Sequence, residues 1–382
     1  MPAAEQRLPF KTEESPKMQY TILGKSGLSV SKLALGTMTF GAESTEEQSF
    51  AVLDAFIAAG GNLIDTSNVY AGGETEAIIG RWFASRPRDV TQHAVLATKG
   101  RYSIRPEINA HGLSRRALHN ALNESLERLQ VETIDLYQLH AADMLTSIEE
   151  TVHFLADAIR AGKIHNYGLS NVTGWQLQLF VSTVERLGLP KPVSLQPQYN
   201  LLSREIEYEI LPSARHNGLD LIPWSPLAGG VLTGKYKRGG TAPEGTRSGD
   251  GSPLYEWSTA EFLHGPRAWD IVETVCELAS DHDATPAQVA LKWLADRPGV
   301  AAPIVGARDV EQLEANLGAV DLTLDEAATD RLERLSRPIP RSTYPYGDFG
   351  VAQRERFLDK GAQVVFEVVK DGSDAPLDGA LT

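Results

Sequence analysis

The chain has 382 residues, a formal net charge of −14, and 42% hydrophobic and 23% charged residues. That is an ordinary globular composition with ample material for a large core, and the acidic balance argues against nucleic acid or an anionic membrane surface as a partner. Cys276 is the only cysteine, so no internal disulfide can form, which fits a reducing cytoplasm; its place in the helical run Ile271 to Leu278 makes a buried core thiol the expected role.

No apolar run has the length of a membrane-spanning helix, and the polar, charged stretch Met1 to Lys17 reads as a disordered leader rather than a secretory signal. Tyr20 to Gly24 and Leu28 to Ser31 flank Lys25-Ser26-Gly27 and predict a small hairpin. Leu33 to Thr37 is a short strand. Thr45-Glu46-Glu47-Gln48 forms a capping box for a helix striped by Phe50, Leu53 and Ile57 and stopped at Gly60-Gly61. The strand Asn62 to Asp65 follows, then a loop with Tyr70, then a helix from Glu74 to Ser85.

Ala94 to Lys99 is the next strand, and Ser114 caps a helix striped by Leu118, Leu122, Leu126 and Leu129. Thr133 to His140 is a strand, and Ser147-Ile148-Glu149-Glu150 opens a helix that stops at Gly162. Ile164 to Ser170 is a strand, followed by a helix carrying Leu177, Phe180 and Val184. Val193 to Gln198 is a strand and Glu205 to His216 a helix. Leu219 to Trp224 is a strand, with a long Gly-rich loop from Ala228 to Pro253 after it. Helices around Ala268 to Ser280 and from Thr285-Pro286 lead to a last strand, Ala301 to Val305, and to helices over 309–318 and 325–336.

Eight short apolar strands each followed by helix, their ends about 26 to 41 residues apart except across the long loop, are the pattern of a (β/α)8 barrel over 18–336; a doubly wound open sheet is the structural alternative. A barrel places functional residues at strand carboxyl ends. Here those ends carry Gly36-Thr37, Asp65, Lys99, His140, Ser170-Asn171, Gln196 with Gln198, Trp224-Ser225 and Gly306. Asp65, Lys99 and His140 end consecutive strands, with Tyr70 on the loop between. Any one of these could be a cap, a solvated charge or a core imidazole; together they mark a site.

The segments that carry these residues resemble the aldo-keto reductases from Met18 to about Leu335. They are Leu33 to Gly41 (LALGTMTFG), Leu63 to Tyr70 (LIDTSNVY), Ala97 to Gly100 (ATKG), Ile134 to His140 (IDLYQLH), Gly168 to Asn171 (GLSN), Gln196 to Asn200 (QPQYN), Pro223 to Gly230 (PWSPLAGG) and Pro303 to Arg308 (PIVGAR). The resemblance implies reduction of an aldehyde, ketone or keto-sugar with Asp65, Tyr70, Lys99 and His140 as the catalytic tetrad. Protonating the developing alkoxide needs an acid, and a phenol of pKa about 10 is a slow one. A Lys99 cation would lower that value, Asp65 would hold Lys99, and His140 would donate a hydrogen bond to the substrate oxygen.

No side chain supplies hydride, and no Rossmann fingerprint is present. The resemblance implies a barrel-type NADP(H) site: Trp224 stacking on the nicotinamide, Ser170, Asn171 and Gln196 bonding its carboxamide, and Ser225, Pro226, Leu227, Gly229 and Lys235 forming the pyrophosphate loop. Gly36, Thr37, Met38, Asp65 and Gly306 complete the cofactor set, with Arg308, Gln312 and Asn316 at the adenosine end. Arg308 precedes a helix start, which also favours an anion, and a guanidinium there suits a 2′-phosphate. Gly229 to Tyr236 nearly spells a P-loop, but Tyr236 replaces the Ser or Thr that would hold Mg²⁺. No metal-ligand spacing occurs among the histidines.

Ala141-Ala142-Asp143 after His140 are small residues expected to widen the substrate pocket. Tyr255 and Trp257 either close over substrate or pack on the barrel. The tail 337–382, with its apolar run Val364 to Val369, is an extra strand, a lid or an oligomer contact, and the oligomeric state is open. The implied partner is a small carbonyl or alcohol. A redox-sensing regulatory subunit, as in the family's channel-associated relatives, is the alternative function.

Overall fold

The computed structural model describes residues 18–240, 242–246, 249 and 266–339. The leader, the tail beyond Ile339, and Tyr255 and Trp257 lie outside the described residues. β1 (Tyr20–Ile22) and β2 (Ser29–Ser31) pair antiparallel as the expected hairpin. The strands β3 (Ala34–Gly36), β4 (Leu63–Asp65), β5 (Val95–Gly100), β6 (Ile134–Leu139), β7 (Ile164–Ser170), β8 (Ser194–Gln196) and β9 (Asp220–Leu221) pair parallel in chain order, and β10 (Ile304–Gly306) joins on the far side of β3.

The sheet then closes. Leu221 donates its N–H to the Gly299 carbonyl at 2.7 Å, Ala301 to Leu221 at 2.8 Å, and Ile304 to Pro223 at 2.9 Å, with a parallel bridge between Leu221 and Val300. An open doubly wound sheet has free edges; this one ends on itself, so the fold is a (β/α)8 barrel.

The strands alternate between two apolar environments, as a two-residue period demands. Ala34, Leu63, Val95, Ala97, Leu136, Ile222, Ala302 and Ile304 pack inside the ring with Leu23 and Val30, so the hairpin plugs the amino-terminal end. Leu35, Ile64, Leu96, Tyr137, Leu169 and Leu195 face outward into the larger cluster shared with the helices. Gly24 joins hairpin to barrel: its N–H donates to Asp220 Oδ2 at 2.8 Å, its φ is +55°, and a Cβ there would meet the Val193 carbonyl at 2.2 Å. Only glycine fits that approach.

Caps fix most helix starts where expected. Thr45 and Gln48 form the capping box of the helix Glu46–Ala58, and Thr285 and Gln288 that of Pro286–Ala295. Ser114 and Ser147 accept from Ala117 N and Glu150 N. Several expectations differ, among them the last strand, expected over Ala301 to Val305 and observed at Ile304–Gly306. The helix expected over 205–216 is split into a short 3-10 turn, Glu205–Glu207, and a helix Ile210–Asn217. Pro212 explains the split: its ring would strike the carbonyl four residues back, so it is tolerated only in a first turn. The strands expected to Gln198 and Trp224 end at Gln196 and Leu221, just ahead of prolines that lack the ladder N–H. Cys276 is half-buried rather than fully in the core.

Among the described residues, no helix is long and apolar enough to cross a membrane. Beside the barrel, Arg204 and Arg297 stack on Trp293 with Cζ atoms 5.0 and 5.2 Å from its ring centroid. Both guanidiniums reach Glu207 and Glu333. This cluster ties the C-terminal helix Glu326–Ser336 to the loop after β8.

Candidate active site

Asp65 closes β4, and Lys99 sits one residue before the end of β5, so both side chains enter one mouth. Lys99 is fully buried and Asp65 nearly so. The ammonium donates to Asp65 Oδ2 at 2.5 Å, to the Thr66 carbonyl at 2.7 Å and to Tyr70 Oη at 3.3 Å. Those three bonds use its three protons. Tyr70 Oη therefore accepts from Lys99, and its own proton is left for another acceptor.

Burial works to depress the Lys99 ammonium, but Asp65 and Tyr70 outweigh it and hold its pKa above the usual lysine value. For Tyr70 the balance goes against expectation. Burial pushes the phenol pKa up, Lys99 opposes this, and Asp65 adds to it, so the net direction is upward. Lys99 restrains the phenol's pKa here rather than lowering it below the ordinary value. The group is a neutral phenol at physiological pH.

His140 follows β6 and meets Tyr70 edge-on, ring centroids 6.2 Å apart, with Tyr102 on another side at 5.0 Å. Burial and then the Lys99 and Arg101 cations drive its pKa down to about 3, so the imidazole is neutral. Its Nδ1 lies 3.2 Å from Ser67 Oγ. Where Ser67 gives its proton to Nδ1 rather than to Asn68 Oδ1, 3.4 Å away, the ring proton is on Nε2.

A cavity of about 380 Å³ opens on this group. Of the expected residues, its wall includes Gly36, Thr37, Met38, Asp65, Tyr70, Gln196, Trp224, Ser225, Pro226, Leu227, Gly229, Lys235, Gly306, Arg308 and Gln312. The loop after β9 makes one side by left-handed turns at Ser225, Ala228, Gly229 and Gly230. Asn200 Nδ2 donates to the Ser225 carbonyl at 2.9 Å, and Gly229 N–H to Ser225 Oγ at 3.3 Å. The described residues 236–240 just after Lys235 do not form the helix that a P-loop would require; Gly229 to Thr233 is part of a 3-10 segment. On the other side, Thr39 and Ser44 hold the Ala307 and Arg308 carbonyls at 3.2 and 2.9 Å.

Five expected residues do not line this cavity. Lys99 lies behind Tyr70, and His140 beside it. Ser170 is fully buried and donates to the Gln196 carbonyl at 2.8 Å. Asn171, at φ 52°, donates Nδ2 to the His140 carbonyl at 2.9 Å and accepts from Trp224 Nε1 at 3.0 Å, so here it braces the indole. Asn316 is buried, its Nδ2 3.5 Å from the Gly306 carbonyl.

The helix Val310–Leu317 does not present a bare amino terminus. Asp309 accepts from Gln312 N at 2.8 Å, and Arg308 N–H donates to Gln312 Oε1 at 2.9 Å. With a carboxylate already in the cap, the cation at this end of the cavity is the Arg308 side chain. Ala141 and Ala142 line a second, apolar cavity of about 230 Å³ with Trp175 and Phe180, not the one at Tyr70.

Sequence reasoning missed Thr39, Gly230, Thr233, Tyr236, Gly245, Thr246, Ile304 and Val305 in the cavity wall. It also missed Ser67 and Gln138. A signal for Gln138 exists: it is a polar residue inside an apolar strand, in the same two-residue phase as His140. No group of three or more His, Cys, Asp or Glu residues that could hold a metal occurs among the described residues.

Known proteins resemble the chain across the barrel. The family model for the aldo/keto reductase family matches residues 32–337. The oxidoreductase YrpG of Bacillus subtilis, itself uncharacterized, is 37% identical over 317 residues, 81% of this chain and 93% of YrpG. Protein tas of Escherichia coli is 32% identical over 359 residues, 86% of this chain and 99% of its own length. A protein of Oryza sativa subsp. japonica named as a probable voltage-gated potassium channel subunit beta is 34% identical over 342 residues, 86% of this chain and 100% of its own. With a closed barrel, a cavity at the strand ends and a family match across that barrel, the chain belongs to the aldo/keto reductase family.

Proposed function

We propose that the protein is an NADP(H)-dependent oxidoreductase that reduces an aldehyde, ketone or keto-sugar to the alcohol. The observation that carries this reading is the bond from Lys99 Nζ to Tyr70 Oη, 3.3 Å long, on the wall of a cavity shared with Trp224 and Arg308. A neutral phenol whose proton is unclaimed suits proton donation to a carbonyl oxygen. A neutral His140 with its proton on Nε2 can donate to the same oxygen and stabilise the charge that develops there. Asp65 keeps Lys99 in place and charged.

What supports a dinucleotide in this cavity is its donor set. An indole and an amide, Trp224 and Gln196, lie in the wall that also holds Tyr70, and Lys235 and Arg308 supply cations for phosphates. The cofactor, when bound, supplies the hydride that side chains cannot. Arg308 favours the 2′-phosphate form: Arg308→Leu is expected to weaken NADPH binding about tenfold to a hundredfold and NADH binding by much less. Titrating both by fluorescence checks this; equal losses would remove the 2′-phosphate from the reading. The single cysteine and acidic charge suit a cytoplasmic enzyme whose partners are small molecules.

The test of function is NADPH oxidation with a panel of aldehydes, ketones and keto-sugars, in which one substrate class is expected to be turned over. Tight NADPH binding with no turnover across the panel would favour a second reading, a redox-sensing regulatory subunit. The channel-subunit name of the rice relative is what favours that alternative.

A further inference from the structure

Asp65 has a second side that the proton-donating group does not use. Its Oδ1 accepts from Gln138 Nε2 at 2.9 Å and from Gln196 Nε2 at 2.8 Å, and Gln196 Nε2 also donates to Gln138 Oε1 at 3.0 Å. Gln138 is fully buried and Gln196 nearly so. The two amides stand on β6 and β8, with β7 between them. They meet because the β7 residue paired with Gln138 is Gly168, where a Cβ would lie 3.6 Å from Gln138 Cγ and 2.3 Å from Ser194 Oγ. Both N–H groups of Gln196 are therefore spent, one on a carboxylate and one on Gln138. Turning the amide over would set Oε1 against Asp65, so its orientation is fixed by charge. Only Oε1 has bonding capacity left, and Gln196 lies in the cavity wall.

We propose that Gln138 is a positioning residue that makes Gln196 an acceptor-only group and so selects a nicotinamide, with its amide N–H, against the corresponding nicotinic acid. This rests on the cofactor reading above. A carboxylate at that position would face Gln196 Oε1, with the Asp65 carboxylate behind it, and would be refused. The same node leaves Asp65 Oδ2 to Lys99, so the amide-recognising residue and the proton donor belong to one hydrogen-bonded chain from Gln138 to Tyr70.

The test is binding, read by protein fluorescence, of three probes: NADP⁺, its nicotinic acid analogue, and adenosine 2′,5′-bisphosphate, which lacks the ring. Wild-type protein is expected to prefer NADP⁺ over the acid by about a hundredfold, and Gln138→Met to reduce that ratio about tenfold, with adenosine 2′,5′-bisphosphate bound equally by both. Gln138→Glu supplies a control against simple misfolding. Protonated, its carboxyl can donate to Asp65 and accept from Gln196 as the amide does; ionised, with Lys99 the nearby cation, it no longer donates to Asp65 but still accepts from Gln196 Nε2. Its preference for NADP⁺ should be retained in either protonation state, because both Gln196 N–H groups still meet acceptors, in contrast to the loss expected of Gln138→Met. Binding of all three probes with the same ratio in wild type and both variants overturns the role of Gln138 alone. Failure of all three to bind wild type overturns the cofactor reading and this proposal with it.

Discussion

Replacing Tyr70 by Phe is expected to lower kcat for carbonyl reduction about a thousandfold, roughly 4 kcal/mol of transition-state stabilisation, with NADPH affinity almost unchanged. The ring stays to pack against His140, and only the oxygen 3.3 Å from Lys99 is lost. The pH profile sharpens the test. Because burial raises the Tyr70 pKa, the acid form persists through neutrality; the wild-type reduction rate should stay level there and fall only at alkaline pH, as the phenol ionises. The residual rate of the variant should lack that alkaline limb. Steady-state kinetics across pH checks both, and equal rates for the two proteins would remove Tyr70 from the mechanism.

The second large effect is on folding and activity together. Lys99→Met leaves the Asp65 carboxylate buried, still bonded to two amides but without its cation. Breaking one side of a buried pair of this kind costs about 3–5 kcal/mol, to be measured by urea unfolding. The double variant with Asp65→Asn removes the orphan charge and should recover much of that stability, because a neutral amide can still accept from the glutamines. It should recover none of the activity. Recovery of both would make the pair a structural device with no part in proton transfer.

The fold was legible because its signals are local and repeated. Caps at Thr45, Ser114, Ser147 and Thr285, and strands of a few apolar residues, recur along the chain. The failures there have local causes too, Pro212 in one helix and the prolines that shorten β8 and β9. The grouping of Asp65, Lys99 and His140 was legible because they end consecutive strands, with Tyr70 on the loop between.

What lay beyond the sequence was the outcome of competing terms and contacts. Residue identity gives Lys99 and Tyr70 as partners, but whether burial or the cation wins for the phenol depends on how deeply the pair sits. Asn171 and Gln312 have the right chemistry for a ligand, yet here they brace Trp224 and Arg308. Asp309 fills a helix cap that the sequence could equally offer to a phosphate. Gln138 required knowing that β7 carries a glycine where the two side chains cross.

The closure of the barrel has a consequence for how ligand and scaffold affect each other. β9 contributes only two residues to its ladder, so the ring is joined by a few bonds at Leu221, Ala301 and Ile304. The cavity straddles that join, one wall taken from Trp224 to Tyr236 and the other from Ile304 to Gln312. A molecule gripped by both walls acts as a splint across the thinnest part of the ring. By mass action it deepens the folded state by about 2.7 kcal/mol at a concentration a hundredfold above its Kd, and the energy of grip is also energy of closure.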